Sequence, residues 1–85
     1  MEYLTIGKLI TISQAAAATI TLYNSDSEFT QWFAEKSQEL RLVLCRELNV
    51  STRELFRLPP QTRIGKESTK ILSEIVERFR KRYHR

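Results

Sequence analysis

Ile71, Leu72, Ile75, Val76, Phe79 and Tyr83 recur at the spacing that sets side chains on one face of an α-helix. Charged and polar residues fill the positions between them. Burying six such side chains is worth roughly 9–18 kcal/mol gross. Ordering the backbone costs about 1–2 kcal/mol per residue. A helix over residues 66–83 is therefore marginal until this stripe packs. In a chain of 85 residues the stripe must pack on the rest of one small domain or on a second copy. Ile71, Leu72, Ile75, Val76 and Phe79 are accordingly candidates for a dimer or partner interface. Glu74 with Arg78 and Glu77 with Lys81 are i, i+4 pairs in the favourable order.

The same spacing recurs upstream. Ser25-Asp26-Ser27-Glu28 has the S-x-x-E form of a capping box, and Phe29, Trp32, Phe33, Leu40, Val43, Leu44 and Leu48 follow at helical intervals. A helix over 26–48 is expected. Lys36 and Ser37 interrupt the stripe, so it is either one long helix or two shorter ones. Asn49 ends it. Ser51-Thr52-Arg53-Glu54 is a second capping box, opening a short helix over 52–58 with Leu55, Phe56 and Leu58. Pro59 and Pro60 stop that helix, because proline lacks an amide donor and disfavours helix in the residue before it.

Residues 5–24 admit two readings. Lys8 to Ser13 and Thr19 to Tyr23 are rich in β-branched residues and read as a hairpin over 8–23, which would make the fold α+β. Ala15 to Ala18 are the best helix formers available. Thr5 and Ser13 are placed to cap two short helices, and Asn24 to end the second. The alanines tip the reading toward a helical pair. The expected class is mainly α, a single small domain with a helix-turn-helix-like corner.

An apolar fraction of 41% and a charged fraction of 28% suit a folded globule. The single cysteine, Cys45, lies in the apolar run Leu42 to Cys45 and reads as a small buried hydrophobe. One thiol makes no internal disulfide, which points to the cytoplasm. No run reaches the roughly 18 apolar residues of a membrane span. Glu2 and Lys8 break the pattern of a secretion signal. Catalytic signatures are missing. His84 is the sole histidine and the second-last residue, no Cys/His spacing suits zinc, and neither Gly7 nor Gly65 sits in a phosphate-cradling loop. The expectation is a non-enzyme without metal or cofactor.

Charge is placed unevenly. Residues 1–77 hold nine basic and ten acidic groups, whereas Arg78, Arg80, Lys81, Arg82 and Arg85 carry no acidic neighbour after Glu77. Arg78-Phe79-Arg80-Lys81-Arg82-Tyr83 interleaves cations with aromatics, a composition suited to phosphate and base stacking. The corner from Arg41 to Leu58 offers a second basic surface. Cys45 is small, Leu48 apolar, Asn49 tolerant of positive φ, and Leu55 and Leu58 are anchors, so Thr52, Arg53 and Arg57 would face a groove or phosphates.

Tyr3-Leu4-Thr5-Ile6-Gly7-Lys8-Leu9, then Thr19-Ile20-x-x-Tyr23, resembles the opening of MerR-type DNA-binding domains and of the related short excisionases of phages. Trp32, Leu40 to Val43 and Arg46 to Leu55 resemble that family's entry into its second helix pair, with Asn49 where glycine is usual. The resemblance spans roughly residues 3–58. It implies a short capped helix, a tight turn and a second helix ending in an aromatic residue. The family's first wing is largely missing here, and Gln14, Ala18 and Thr21 stand where glycine, arginine and a basic residue are usual.

The leading expectation is thus a small DNA-binding regulator or excisionase-like accessory factor, contacting DNA through Thr52, Arg53, Arg57, Arg78, Arg80, Lys81 and Arg82. The alternative is an adaptor that docks a protein partner or forms a homodimer through the C-terminal stripe or through Phe29, Trp32 and Phe33.

Overall fold

The computed structural model describes residues 4–22 and 27–83. They form α1 (Ile6–Leu22), α2 (Ser27–Leu48), α3 (Thr52–Leu55) and α4 (Lys66–Tyr83). Among the described residues β pairing is limited to an isolated antiparallel bridge between Thr5 and Arg63. The chain is mainly helical, and the hairpin over 8–23 does not form. The expected end of the first helix at Asn24 and the cap at Ser25 lie outside the described residues, as do Tyr3, Tyr23, His84 and Arg85.

α2 and α4 run antiparallel. Phe29 meets Phe79, Lys36 meets Glu74 and Arg46 meets Glu67 along their length. Leu40, Val43 and Leu44 of α2 interlock with Ile71, Leu72 and Ile75 of α4, and Ile6, Leu9, Leu55 and Ile64 close the same cluster. The C-terminal stripe therefore faces inward. Ile71, Leu72 and Ile75 are buried, and Val76 and Phe79 are half-buried against the core, so the stripe packs on the rest of the domain. The residues that interrupt the α2 stripe each have a place. Lys36 sits at the seam and bridges Glu74 at 3.3 Å and Glu39 at 3.5 Å, while Ser37 turns toward α1. α2 is one unbroken helix.

The corner after α2 is built as its residue types require. Asn49 takes φ 55°, and the Val50 amide donates to the Cys45 carbonyl, the closing bond of a Schellman motif. Ser51 then caps α3. Its hydroxyl accepts from the Glu54 amide and the Glu54 carboxylate accepts from the Ser51 amide, both at 3.2 Å. The helix expected over 52–58 stops at Leu55. Arg57 and Leu58 donate three residues back, to Glu54 and Leu55, because Leu58 precedes proline and is held out of the α region.

α1 is one continuous helix, not two. Ser13 does not break it, and the tight turn implied by the family resemblance is absent. Its β-branched content is accommodated locally. Thr11, Thr19 and Thr21 donate their hydroxyls to the carbonyls of Gly7, Ala15 and Ala17, four residues back. Its first turn is held from outside. The amides of Ile6 and Gly7 donate to the carbonyls of Thr62 and Pro60, and the Lys8 amide to the Thr5 hydroxyl. The Pro59–Ile64 loop thus supplies acceptors that a helix start lacks. Gly7 permits the approach, since a Cβ there would lie 3.1 Å from Pro60 Cβ.

Beyond Ile12 the inward face of α1 turns small, with Ser13 and Ala16, and Ser37 lines the same space from α2. A partly open cavity of about 240 Å³ results between α1 and the α2–α4 pair. Closed and empty, a void of that size would cost about 6 kcal/mol, a large share of a small domain's stability. No helix among the described residues is long and apolar enough to cross a membrane.

Candidate nucleic-acid interface

At the end of the helix pair where α4 finishes, four aromatic rings close the core. Phe79 stands edge-on to Phe29 at 5.1 Å and to Phe33 at 5.3 Å, and Trp32 lies 5.6 Å from Phe29. The aromatic set expected to dock a partner is therefore engaged within the chain, with Phe29 buried and Trp32 and Phe33 half-buried.

The basic residues of α4 sit on the outside of this cluster. The Arg78 guanidinium lies 4.4 Å above the Trp32 ring, and that of Arg82 is 5.8 Å from the Phe29 ring. Lys81 is exposed beside them, and Arg80, also exposed, lies about 200° round α4 from Arg78. Glu28 and Glu77 flank the shallow cleft that Phe29, Arg78, Lys81 and Arg82 also line. The two helical ion pairs expected on α4 do not form. Glu74 bridges α2 through Lys36, Arg78 turns to the indole, and no Glu77–Lys81 bridge is present among the described residues. A guanidinium stacked on a ring keeps its N–H donors in plane and directed outward, where they match a phosphate.

The seven residues expected to bind nucleic acid do not form one patch. Thr52, Arg53 and Arg57 belong to the opposite end of α2. Trp32 and Leu48 are about 24 Å apart along that helix, in a molecule 36 Å long. The Thr52 hydroxyl lies 3.8 Å from the Cys45 sulfur, and Arg53 and Arg57 are exposed. α3 has four residues and is about 6 Å long, too short to run along a major groove in the manner of a recognition helix.

One functional carboxylate escaped the sequence reading. Glu47, near the end of α2, caps α4 from outside, accepting from the Glu67 and Ser68 amides at 3.1 Å and from the Ser68 hydroxyl. α4 starts after Gly65, which has no side chain to serve as its own cap. A Cβ at Gly65 would collide with the Glu47 carboxylate. Burial against α4 pulls the Glu47 carboxyl up, but the Ser68 hydroxyl and the two amides, with Arg46 nearby, outweigh it and hold the group below the ordinary value of 4.5. The signal was a helix start lacking Ser, Thr, Asp or Asn at its cap. Among the described residues no group of three or more His, Cys, Asp or Glu is placed to hold a metal ion.

No protein-family model matches the chain, and no curated protein or solved structure shows significant similarity to it.

Proposed function

We propose that this chain is a small DNA-binding accessory factor that grips the phosphate backbone through the cationic end of α4, with little reading of base sequence. The observation that carries this is Arg78 set on the Trp32 ring at 4.4 Å, with Lys81 and Arg82 on the same face of α4 and Arg80 exposed on the face beyond. A stacked guanidinium has lost much of its conformational freedom before the phosphate arrives. Sequence neutrality follows from the length of α3, since Thr52, Arg53 and Arg57 lack a helix that could carry them along a groove.

The test is fluorescence anisotropy with two duplexes of unrelated sequence. Both should bind with similar affinity at low salt. Arg80→Gln with Lys81→Gln should weaken binding roughly tenfold or more, and Arg53→Gln with Arg57→Gln should change it less than twofold. Strong preference for one duplex, or equal loss from the two double variants, would contradict the proposal.

A protein partner is the second reading, and α1 favours it rather than the C-terminal stripe. Ala15, Ala17 and Ala18 are exposed there, and the threonine hydroxyls are bonded back to the helix. Sedimentation over a range of concentrations distinguishes a self-associating chain from a monomer.

A further inference from the structure

The cavity between α1 and the α2–α4 pair has walls, polar groups and a charge of one consistent kind. Leu9, Ile12, Ala16, Phe33 and Leu40 make it apolar. The hydroxyl-bearing Ser13 and Ser37 both line it, and both are half-buried. Arg41 also lines it. The residue is half-buried as a whole, and its guanidinium donates at the exposed edge to the neutral side chain of Gln38 at 3.3 Å, with no carboxylate partner among the described residues. The other half-buried cation of α2, Lys36, pairs with Glu39 and Glu74. Phe56, 58% exposed, stands at the rim, an apolar ring left in water beside an apolar opening.

We infer that this cavity binds a medium-chain aliphatic monocarboxylate, with its carboxylate on Arg41 and its alkyl chain between α1 and α2. Charge complementarity selects the head group, because a guanidinium at the edge of an apolar cavity and without a carboxylate partner is matched by an anion that can take two of its N–H donors. Volume selects the tail. A dry cavity of about 150 Å³ holds a benzene molecule, so about 240 Å³ has room for roughly eight to ten non-hydrogen atoms. The site is independent of the cationic end of α4, and its occupation seats α1 on the rest of the molecule.

Calorimetric titration with straight-chain alkanoates of four to fourteen carbons, each matched by the alcohol of equal length, tests the inference. Affinity should rise about fourfold per methylene, reach its maximum near eight to ten carbons and fall beyond. The acid should bind at least tenfold tighter than its alcohol, and Arg41→Gln should abolish that preference. Ala16→Leu, which fills the cavity, should remove binding of both and raise the melting temperature. Absence of saturable alkanoate binding, equal affinity for acid and alcohol, or an acid preference that survives Arg41→Gln would overturn it.

Discussion

At the residue scale, two carboxylates act by accepting backbone amides. Glu47 replaces the cap that Gly65 cannot provide, and Glu54 closes the capping box on Ser51. Glu47→Ala should destabilise the domain by about 1–2 kcal/mol, the usual worth of a helix N-cap. Gly65→Ala should cost a similar amount, because its Cβ displaces the same carboxylate. The two losses should not add in the double variant, which urea denaturation would reveal as an interaction term. The acid response has a definite sign. Both carboxyls are held below 4.5, Glu47 by hydrogen bonds that outweigh its burial and Glu54 by the Ser51 amide and hydroxyl. Near pH 4.5 the unfolded chain therefore binds more protons than the folded one. Their contribution is complete above that pH and disappears as the pH falls through the lower folded values. Melting temperature should drop through this acid window in the native chain and drop less in Glu47→Ala.

At the element scale, α2 and α4 carry the stability and α1 is the weakly seated piece. Leu72→Ala, at 2% exposure in the α2–α4 core, should cost about 2–5 kcal/mol. Amides in the second half of α1 should exchange with solvent earlier than those of Leu40 to Leu44 or Leu72 to Val76, because few buried side chains hold that half. Uniform protection across the three helices would contradict this. Legibility followed the same division. α2, the Asn49 turn, the Ser51 cap and α4 were readable because start signals, apolar period and stop signals agreed at each. α1 was ambiguous because isoleucine and threonine favour strands in isolation. Threonine hydroxyls bonded to their own helix, and acceptors lent by the Pro59–Ile64 loop, decide the matter through contacts that a local pattern does not encode. The continuation of α3 to Leu58 failed because the restraint from Pro59 reaches back further than the helical spacing suggested. The inward direction of the α4 stripe and its engagement of Phe29 and Phe33 depend on which helices meet, which periodicity alone leaves open.

At the scale of the whole molecule, charge and aromatic structure are coupled. The basic cluster that the sequence placed near the C-terminus is present on the fold, but it shares no surface with Thr52, Arg53 and Arg57. The expected residues therefore fall into two groups, one at each end of α2. The composite site was not legible because its two parts are close to the ends of elements whose antiparallel pairing sets them apart. The central claim is that Arg78 and Arg82, set against the Trp32 and Phe29 rings, act with the exposed Arg80 and Lys81 to displace counter-ions from a duplex. The most direct measurement is the affinity for duplex DNA across a salt series. Four engaged cations should give a slope of log affinity against log salt of about −3.6, or roughly a 10²-fold loss between 50 and 200 mM. A flat response, or no duplex binding at the lowest salt, would contradict the account.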